Sequence, residues 1–235
     1  MKAVILAAGR GRRLRPISEN IPKPMVPIAG RPLLEHTVRL LKKHGVENIF
    51  INLHHFPEVI TSYFGDGKGW GVNITYSWEK KLLGTAGAVK KLETFLKETF
   101  LVVYGDNLSN CNITRLCNFH CSRSGIATIA LHRREDPTSS GIVKLDKNCR
   151  ITKFLEKPRI KEIFSNLVNG GILVLEPEIM EYIPEGCAYD FGEDVLPQLL
   201  QKGEVVYGYI MEKLLLWVDT PEDYRNVQTK SWKGV

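Results

Sequence analysis

Apolar residues fall in short dense blocks along this chain, separated by glycines, prolines and charged stretches. Residues 3–8, Ala-Val-Ile-Leu-Ala-Ala, form a continuous apolar run of strand length that ends in a turn at Gly9 and Gly11. Arg31-Pro32 then opens a helical pattern, because proline is tolerated in a first turn, and Leu33, Leu34, Val38 and Leu41 share one side until Gly45 stops it. A strand over Asn48–Leu53 and a short helix over Pro57–Phe64 follow. Residues 65–71 carry too much glycine for regular structure. Further strands are expected over 72–78, Phe100–Tyr104 and 126–132, with a helix over 112–122 between the last two. Alternation of this kind predicts an α/β protein, Rossmann-like, with three α/β/α layers and a mainly parallel central sheet.

The second half is richer in strands. Ile142–Leu145 and Ile151–Leu155 flank Asp146-Lys147-Asn148, a turn chemistry that predicts a hairpin, and strands over 168–175 and 205–211 precede a final helix from about Pro221. With 235 residues and no linker, repeat or low-complexity tract, the chain is expected to form one domain over 1–235.

Composition narrows the partners. The net charge of +6 arises from 32 Lys and Arg against 26 acids, but the basic residues concentrate in the first loop rather than in aromatic-studded stripes, which points away from nucleic acid. The 3–8 run is short for a signal-peptide core and is followed by arginines, and no run reaches membrane-spanning length, so no membrane partner is expected. Five cysteines, an odd number without paired C-x-x-C units, give neither a disulfide framework nor a zinc pattern and fit a reducing cytoplasm. Cys117 and Cys121 can share a helical face, where packing explains them better than a metal.

The candidate chemistry starts in that first loop. Arg10, Arg12, Arg13, Arg15 and Lys23 stand against the single acid Glu19, a density that mutual repulsion disfavours unless an anion offsets it. A polyphosphate is the natural partner. The loop is not a dinucleotide fingerprint, since Leu14 stands where a third glycine belongs, and no Gly-Lys-Ser/Thr closes it as a Walker loop. Gly-x-Gly after a strand is by itself a generic turn.

The whole string is more specific. Leu6-Ala7-Ala8-Gly9-x-Gly11-x-Arg13-Leu14-x-Pro16, followed by Pro22-Lys23-Pro24, resembles the signature of the sugar-1-phosphate nucleotidyltransferases, and the likeness covers nearly the whole chain. It is greatest to the short mannose-1-phosphate guanylyltransferase-like forms that lack a C-terminal β-helix. The resemblance implies that Leu6, Ala8, Gly9, Gly11, Arg12 and Arg13 lie on the nucleotide, that Arg13 steadies the transferring phosphoryl group and that Lys23 contacts phosphate. Arg12 departs from the Ser or Thr usual at its position.

Later segments extend the likeness. Leu83-Gly84-Thr85-Ala86-Gly87-Ala88 follows a strand and leads into a helix, so small residues can approach a flat ring and N–H groups are expected to be free, although a tight turn would look the same. It resembles the family's base-recognition segment, which implies that Gly84, Thr85 and Ala86 contact the nucleotide. Glu79 just before it can accept from two donors, which guanine offers on its pairing edge and uracil or thymine does not. Gly105-Asp106, at the C-terminal end of an apolar strand, resembles the family's metal-binding pair, with Asp106 holding Mg2+, although an aspartate there can also cap a turn. Glu156-Lys157-Pro158 ends another strand, where neighbouring side chains are expected on opposite faces and a simple ion pair is not the obvious explanation. By resemblance Glu156 holds sugar hydroxyls and Lys157 the sugar phosphate, Asn169 and Gly141 belong to the same sugar-binding lobe, and the acidic stretch from Asp190 to Asp194 lies near it. As sequence, that stretch is first an acid-rich helix start.

The chain departs from the family at Trp217-Val218-Asp219-Thr220-Pro221. A gap-free alignment puts Trp217 at the second metal-ligand position, whereas a two-residue deletion leaves Asp219 there. Asp219 is the preferred ligand; an aspartate before Thr-Pro is also a common helix-start signal. The resemblance implies a Mg2+-dependent enzyme with Arg13, Lys23, Asp106 and Lys157 as catalytic groups. It would join an NTP and a sugar 1-phosphate into an NDP-sugar and release pyrophosphate, with GTP and mannose 1-phosphate the leading pair. The same fold with CTP, UTP or dTTP and glucose, heptose or choline phosphate is the alternative, and a non-catalytic nucleotide-sugar-binding regulatory subunit is another. A homo-oligomer is compatible with the sequence, which does not specify one.

Overall fold

Burial follows the apolar blocks. The computed structural model describes residues 1–212 and 215–229. In chain order its strands and helices are β1 (Lys2–Leu6), β2 (Pro27–Ile28), β3 (Arg31–Pro32), α1 (Leu33–Lys43), β4 (Asn48–Leu53), α2 (Pro57–Phe64), β5 (Asn73–Trp78), α3 (Gly84–Lys90), β6 (Phe100–Tyr104) and β7 (Asn107–Ser109). They continue with α4 (Ile113–Cys121), β8 (Ala127–Arg133), β9 (Ile142–Leu145), β10 (Ile151–Leu155), β11 (Leu167–Leu175), α5 (Leu196–Gln201), β12 (Val206–Ile210), β13 (Leu215–Trp217) and α6 (Pro221–Thr229). This is the Rossmann-like α/β fold, a mainly parallel sheet flanked by helices, that the alternation predicts. No described helix is long and apolar enough to cross a membrane.

The chain divides into two compact units. The first comprises Met1–Leu82, Val103–Cys111 and the described residues after 212. Its parallel strands run β1-β4-β5, with Leu6 opposite Asn52 and Leu53 opposite Trp78. Arg31-Pro32, expected as the first helical turn, instead forms β3 against β2, and the Leu33 N–H donates to Val26 O. Pro32 keeps an extended ψ of 142° opposite Pro27, so the helix proper begins at Leu33. Two short antiparallel strands, β7 and β13, were not legible in the sequence, because three residues are too few for a period to show.

That short pair has a structural role beyond its length. Leu108 on β7 and Leu216 on β13 join Leu14, Val26, Ile28, Leu33, Val218 and Val227 in one buried cluster, with Ile17, Ile21 and Tyr224 packed against it. Residues from the first loop, the middle of the chain and its last helix therefore share one apolar core, and burial of this kind holds sequence-distant segments together.

The second unit comprises Leu83–Val102 and Asn112–Glu212. It is mixed: β12 runs parallel to β8, while β11 pairs antiparallel with β8 and, at Val168, with β9. The hairpin β9–β10 forms as expected, and Asp146 Oδ1 accepts from the N–H groups of Asn148 and Arg150 at 2.8 and 2.9 Å. Helix α4 is capped by Asn112, whose side chain accepts the Arg115 N–H at 3.0 Å.

Leu108 is fully buried in the first unit's cluster. Leu108→Ala is expected to destabilise the protein by about 2–5 kcal/mol, read as a lowered urea midpoint with an unchanged slope.

Candidate active site

The first unit gathers its charged groups at the C-terminal ends of its strands. Past β1, Gly11 takes the left-handed conformation at φ 60°, and a Cβ there would lie 2.9 Å from Lys23 Cβ and 3.2 Å from Ser18 Oγ. Only glycine fits that close approach. Ser18 Oγ donates to Gly11 O at 2.7 Å and fixes the loop, a contact the sequence did not announce. Gly9 is not left-handed, and a Cβ there would meet nothing within 4 Å, so its small size leaves open space rather than relieving strain. Leu14 anchors the following turn in the core, while Arg10, Arg12, Arg13 and Arg15 are exposed.

Lys23 is different. Pro22 and Pro24 frame a short helical turn whose Met25 and Val26 are buried, and this holds the lysine stem in place. Its Nζ donates to Asp106 Oδ2 at 2.7 Å and to Asp219 Oδ1 at 2.6 Å. The side chain is only 8% exposed, Asp219 14% and Asp106 37%, so the cluster is shielded on all but the Asp106 side. Burial alone would push the Lys23 pKa down, but the two carboxylates outweigh it and hold the ammonium above its ordinary value. Arg13 Nη2 lies 3.3 Å from the same Asp219 oxygen.

The β7–β13 register explains how residues so far apart in sequence meet. Asn107 pairs with Trp217, so Asp106, just before β7, and Asp219, just past β13, leave the same end of an antiparallel pair. Trp217 is thus a strand residue, and Asp219 is the carboxylate that reaches Lys23. The helix-start role falls to neighbours: Asp223 Oδ2 accepts the N–H groups of Asp219 and Thr220 and the Thr220 hydroxyl, and Thr220 Oγ1 accepts the Asp223 N–H.

In β4, Asn52 interrupts the apolar run that follows the exposed Asn48, and that is the signal that could have found it. Buried opposite Leu6, it accepts the Ala7 N–H at 2.6 Å through Oδ1 and donates to Glu79 Oε1 at 2.7 Å through Nδ2. Glu79 is itself buried, and its backbone carbonyl lies 2.9 Å from His54 Nδ1. The other ring nitrogen of His54 sits 3.5 Å from Arg10 Nη2. Glu79 therefore ties the start of the loop to β4 and β5, with one oxygen engaged by Asn52.

The second unit assembles the remaining candidates. Gly84 is left-handed at φ 70°, and a Cβ would lie 2.5 Å from Tyr189 O. The N–H groups expected to be free are engaged: Ala86 and Gly87 donate to Tyr189 O at 2.9 and 3.0 Å, and Thr85 N–H donates to Asp190 Oδ1 at 3.0 Å. The Thr85 hydroxyl donates to the same Asp190 oxygen at 2.9 Å and accepts the Phe191 N–H at 2.8 Å. Small residues here serve a close backbone approach within the unit. The acidic stretch forms a wide helical turn over Phe191–Val195 that leads into α5.

Glu156 lies in a cradle of two glycines, since a Cβ on Gly141 or Gly192 would come within 2.5 and 2.4 Å of its Oε2. Burial pushes its pKa up, Lys157 partly offsets this, and Glu193 and Asp190 add to the rise. The expectation that Glu156 and Lys157 point to opposite faces fails, because β10 ends at Leu155 and Lys157 takes φ 44°. That turn brings Lys157 Nζ to 2.8 Å from Glu193 Oε1 and 3.9 Å from Glu156 Oε1. Asn169 donates its N–H to Gly141 O at 2.9 Å and accepts the Gly171 N–H through Oδ1, so it shapes the same cradle. In α4, burial pushes the Cys117 thiol up to about 11, with Cys121 adding to it. No group of three or more His, Cys, Asp or Glu gathers as a metal site among the described residues.

The chain is similar to known proteins in both sequence and fold. The chain is 42% identical over 233 residues to the UTP–glucose-1-phosphate uridylyltransferase of Synechocystis, across 93% of this chain and 60% of that protein. It is 35% identical to the mannose-1-phosphate guanylyltransferase of Mycobacterium tuberculosis, across 94% of this chain and 62% of the relative. The chain thus spans about three fifths of the length of these curated relatives. Among solved structures, a Bacillus anthracis protein described as a candidate glucose-1-phosphate thymidylyltransferase superposes with a TM-score of 0.87 at 25% identity, over 97% of this chain and 94% of that one. The nucleotidyl transferase family model matches residues 2–232, and the chain belongs to that family.

Proposed function

We propose that the chain transfers a nucleotidyl group from an NTP to a sugar 1-phosphate, giving an NDP-sugar and pyrophosphate. The observation that carries this reading is the cluster of Lys23, Asp106, Asp219 and Arg13 behind a glycine loop that leaves open space at Gly9. A sugar 1-phosphate is mostly dianionic near neutral pH, so its oxygen attacks the α-phosphorus without an activating serine, cysteine or histidine. The new O–P bond forms as the bond to the bridging oxygen of the β-phosphate breaks, and pyrophosphate leaves.

The fold family implies Mg2+, and the donors fit it. Asp106 and Asp219 present hard oxygens to one point, where Lys23 Nζ now bonds an oxygen of each. Two carboxylates completed by water and phosphate oxygens are the usual Mg2+ arrangement, rather than an all-protein cage. A bound Mg2+ supplies positive charge to the phosphate oxygens. Arg13 and Lys23 neutralise charge on the triphosphate, and the loop N–H groups orient it. In the second unit, Lys157 binds the sugar phosphate and Glu156, in its glycine cradle, accepts from sugar hydroxyls.

GTP with mannose 1-phosphate is the first pair to test. UTP with glucose 1-phosphate is the second reading, favoured by the 42% identical relative and by Asn52 occupying one of the Glu79 oxygens that would face guanine. Pyrophosphate release across a panel of NTPs and sugar 1-phosphates decides between them, and no turnover with any pair in folded protein and Mg2+ would falsify the enzymatic reading.

Asp219→Asn is expected to lower kcat by about a hundredfold with the circular dichroism spectrum unchanged. A regulatory subunit would instead bind nucleotide sugar with little turnover before or after the change. Lys157→Ala should raise KM for the sugar 1-phosphate by about tenfold or more while leaving KM for the NTP near its original value; equal rises in both would remove Lys157 from the sugar-phosphate role.

A further inference from the structure

We propose that Lys23 is a tethered placeholder cation, which fills the position between Asp106 and Asp219 until a metal–nucleotide complex displaces it, so that the pair admits a divalent ion only together with a triphosphate. This rests on the metal role assigned above to the two carboxylates.

The geometry is that of an occupied cation site. Two carboxylates each give one oxygen to a single ammonium, at 2.7 and 2.6 Å, in a place where the lysine is 8% exposed. Arg13 adds a second positive charge on Asp219 at 3.3 Å. The formal charges of Lys23 and Arg13 balance those of Asp106 and Asp219, so a bare divalent ion approaches a neutral cluster and gains little from long-range attraction. To enter, it must evict an ammonium that is buried, and an evicted ammonium without an anionic partner is costly to keep out of water. The backbone cannot retreat either, because Pro22, Pro24 and the buried Met25 and Val26 fix it.

A triphosphate removes both obstacles. Its oxygens give the displaced ammonium and the Arg13 guanidinium new charge-assisted partners, while the divalent ion takes over the carboxylates. Only rotation about the side-chain bonds of Lys23 is required. The exchange swaps one set of charge pairs for another, and the charge left on the triphosphate meets Arg10, Arg12 and Arg15, which are exposed along the same loop. Lys23 thereby couples metal entry to nucleotide entry, which makes the metal arrive as the nucleotide complex rather than ahead of it.

The test uses Mn2+ as the probe and the full chain, with free Mn2+ read by electron paramagnetic resonance and no substrate present. Lys23→Met keeps the length of the side chain and removes its charge. Bare Mn2+ is expected to bind wild type weakly and the variant at least about tenfold more tightly, because the carboxylates are then released to the metal. With a non-hydrolysable triphosphate added, the order should reverse: the variant binds the Mn2+–nucleotide complex about tenfold less tightly, having lost a phosphate contact. A merely structural lysine would weaken both, so equal or weaker bare Mn2+ binding in the variant overturns the proposal. If Lys23→Met is unstable, Mn2+ should raise its Tm by several degrees where matched NaCl does not, with wild type unmoved by the same Mn2+; loss of that selectivity also overturns it. These readouts need no turnover, so a silent substrate panel would defeat the proposed reaction while leaving the exchange measured.

Discussion

The candidate site of the first unit turns on a buried ammonium held by two carboxylates from distant parts of the chain. Removing three charges from water is expensive, and such a cluster contributes little net stability compared with apolar residues of the same volume. What stabilises the unit is the apolar cluster beneath it, where Leu14, Val26 and Leu33 meet Leu108, Leu216, Val218 and Val227. The cluster brings together the segments that carry Arg13, Lys23, Asp106 and Asp219, and the β7–β13 pairing sets their register. The charges therefore follow from the core and not the reverse. Net stability therefore does not account for the polar arrangement.

The second unit solves a related problem with a different device. Glu156 is half-buried against two glycines, near Lys157, Glu193 and Asp190, so its carboxylate is destabilised as an anion by its surroundings and only partly rescued by Lys157. Lys157 can reach both acids because its backbone turns left-handed directly after β10. A non-glycine residue in that conformation costs on the order of 1–2 kcal/mol, and such strain concentrates where a side chain must be aimed. Thr85 and Asp190 then lock the neighbouring glycine-rich segment onto the turn that supplies Gly192. The segment's small residues thus serve packing first.

Much of this was legible in the sequence, and the limits of legibility have a physical pattern. The strands Asn48–Leu53, Phe100–Tyr104, Ile142–Leu145 and Ile151–Leu155 lie where the apolar runs put them, because burial on a sheet is a local property of side-chain period. Asn112 caps α4 because its short polar side chain reaches a backbone N–H three residues on. By contrast, β7 and β13 are stabilised by a partner a hundred residues away and leave no period of their own. The turned Lys157, the engaged N–H groups of Thr85 and Ala86, and the use of Asn52 as a bridge are likewise tertiary facts. Even so, a lone asparagine inside IFINL carried a signal, since an unpaired amide would not survive burial there.

The dense cationic loop gains a different meaning once its partners are known. On the sequence, five positive charges against one acid demand an external anion. In the structure two of the five are already balanced from within: Lys23 by Asp106 and Asp219, and Arg13 by Asp219. Arg10 leans on the His54 ring, whose opposite nitrogen is held by the Glu79 carbonyl. The loop is thus less positive than its composition implies, and its most buried cation faces inward. On the exchange proposed above, a phosphate group would meet exposed arginines first and the buried lysine only after the carboxylates had found another positive partner. The proposed order of binding would then be a property of the fold, because the internal acids compete with phosphate for the same ammonium.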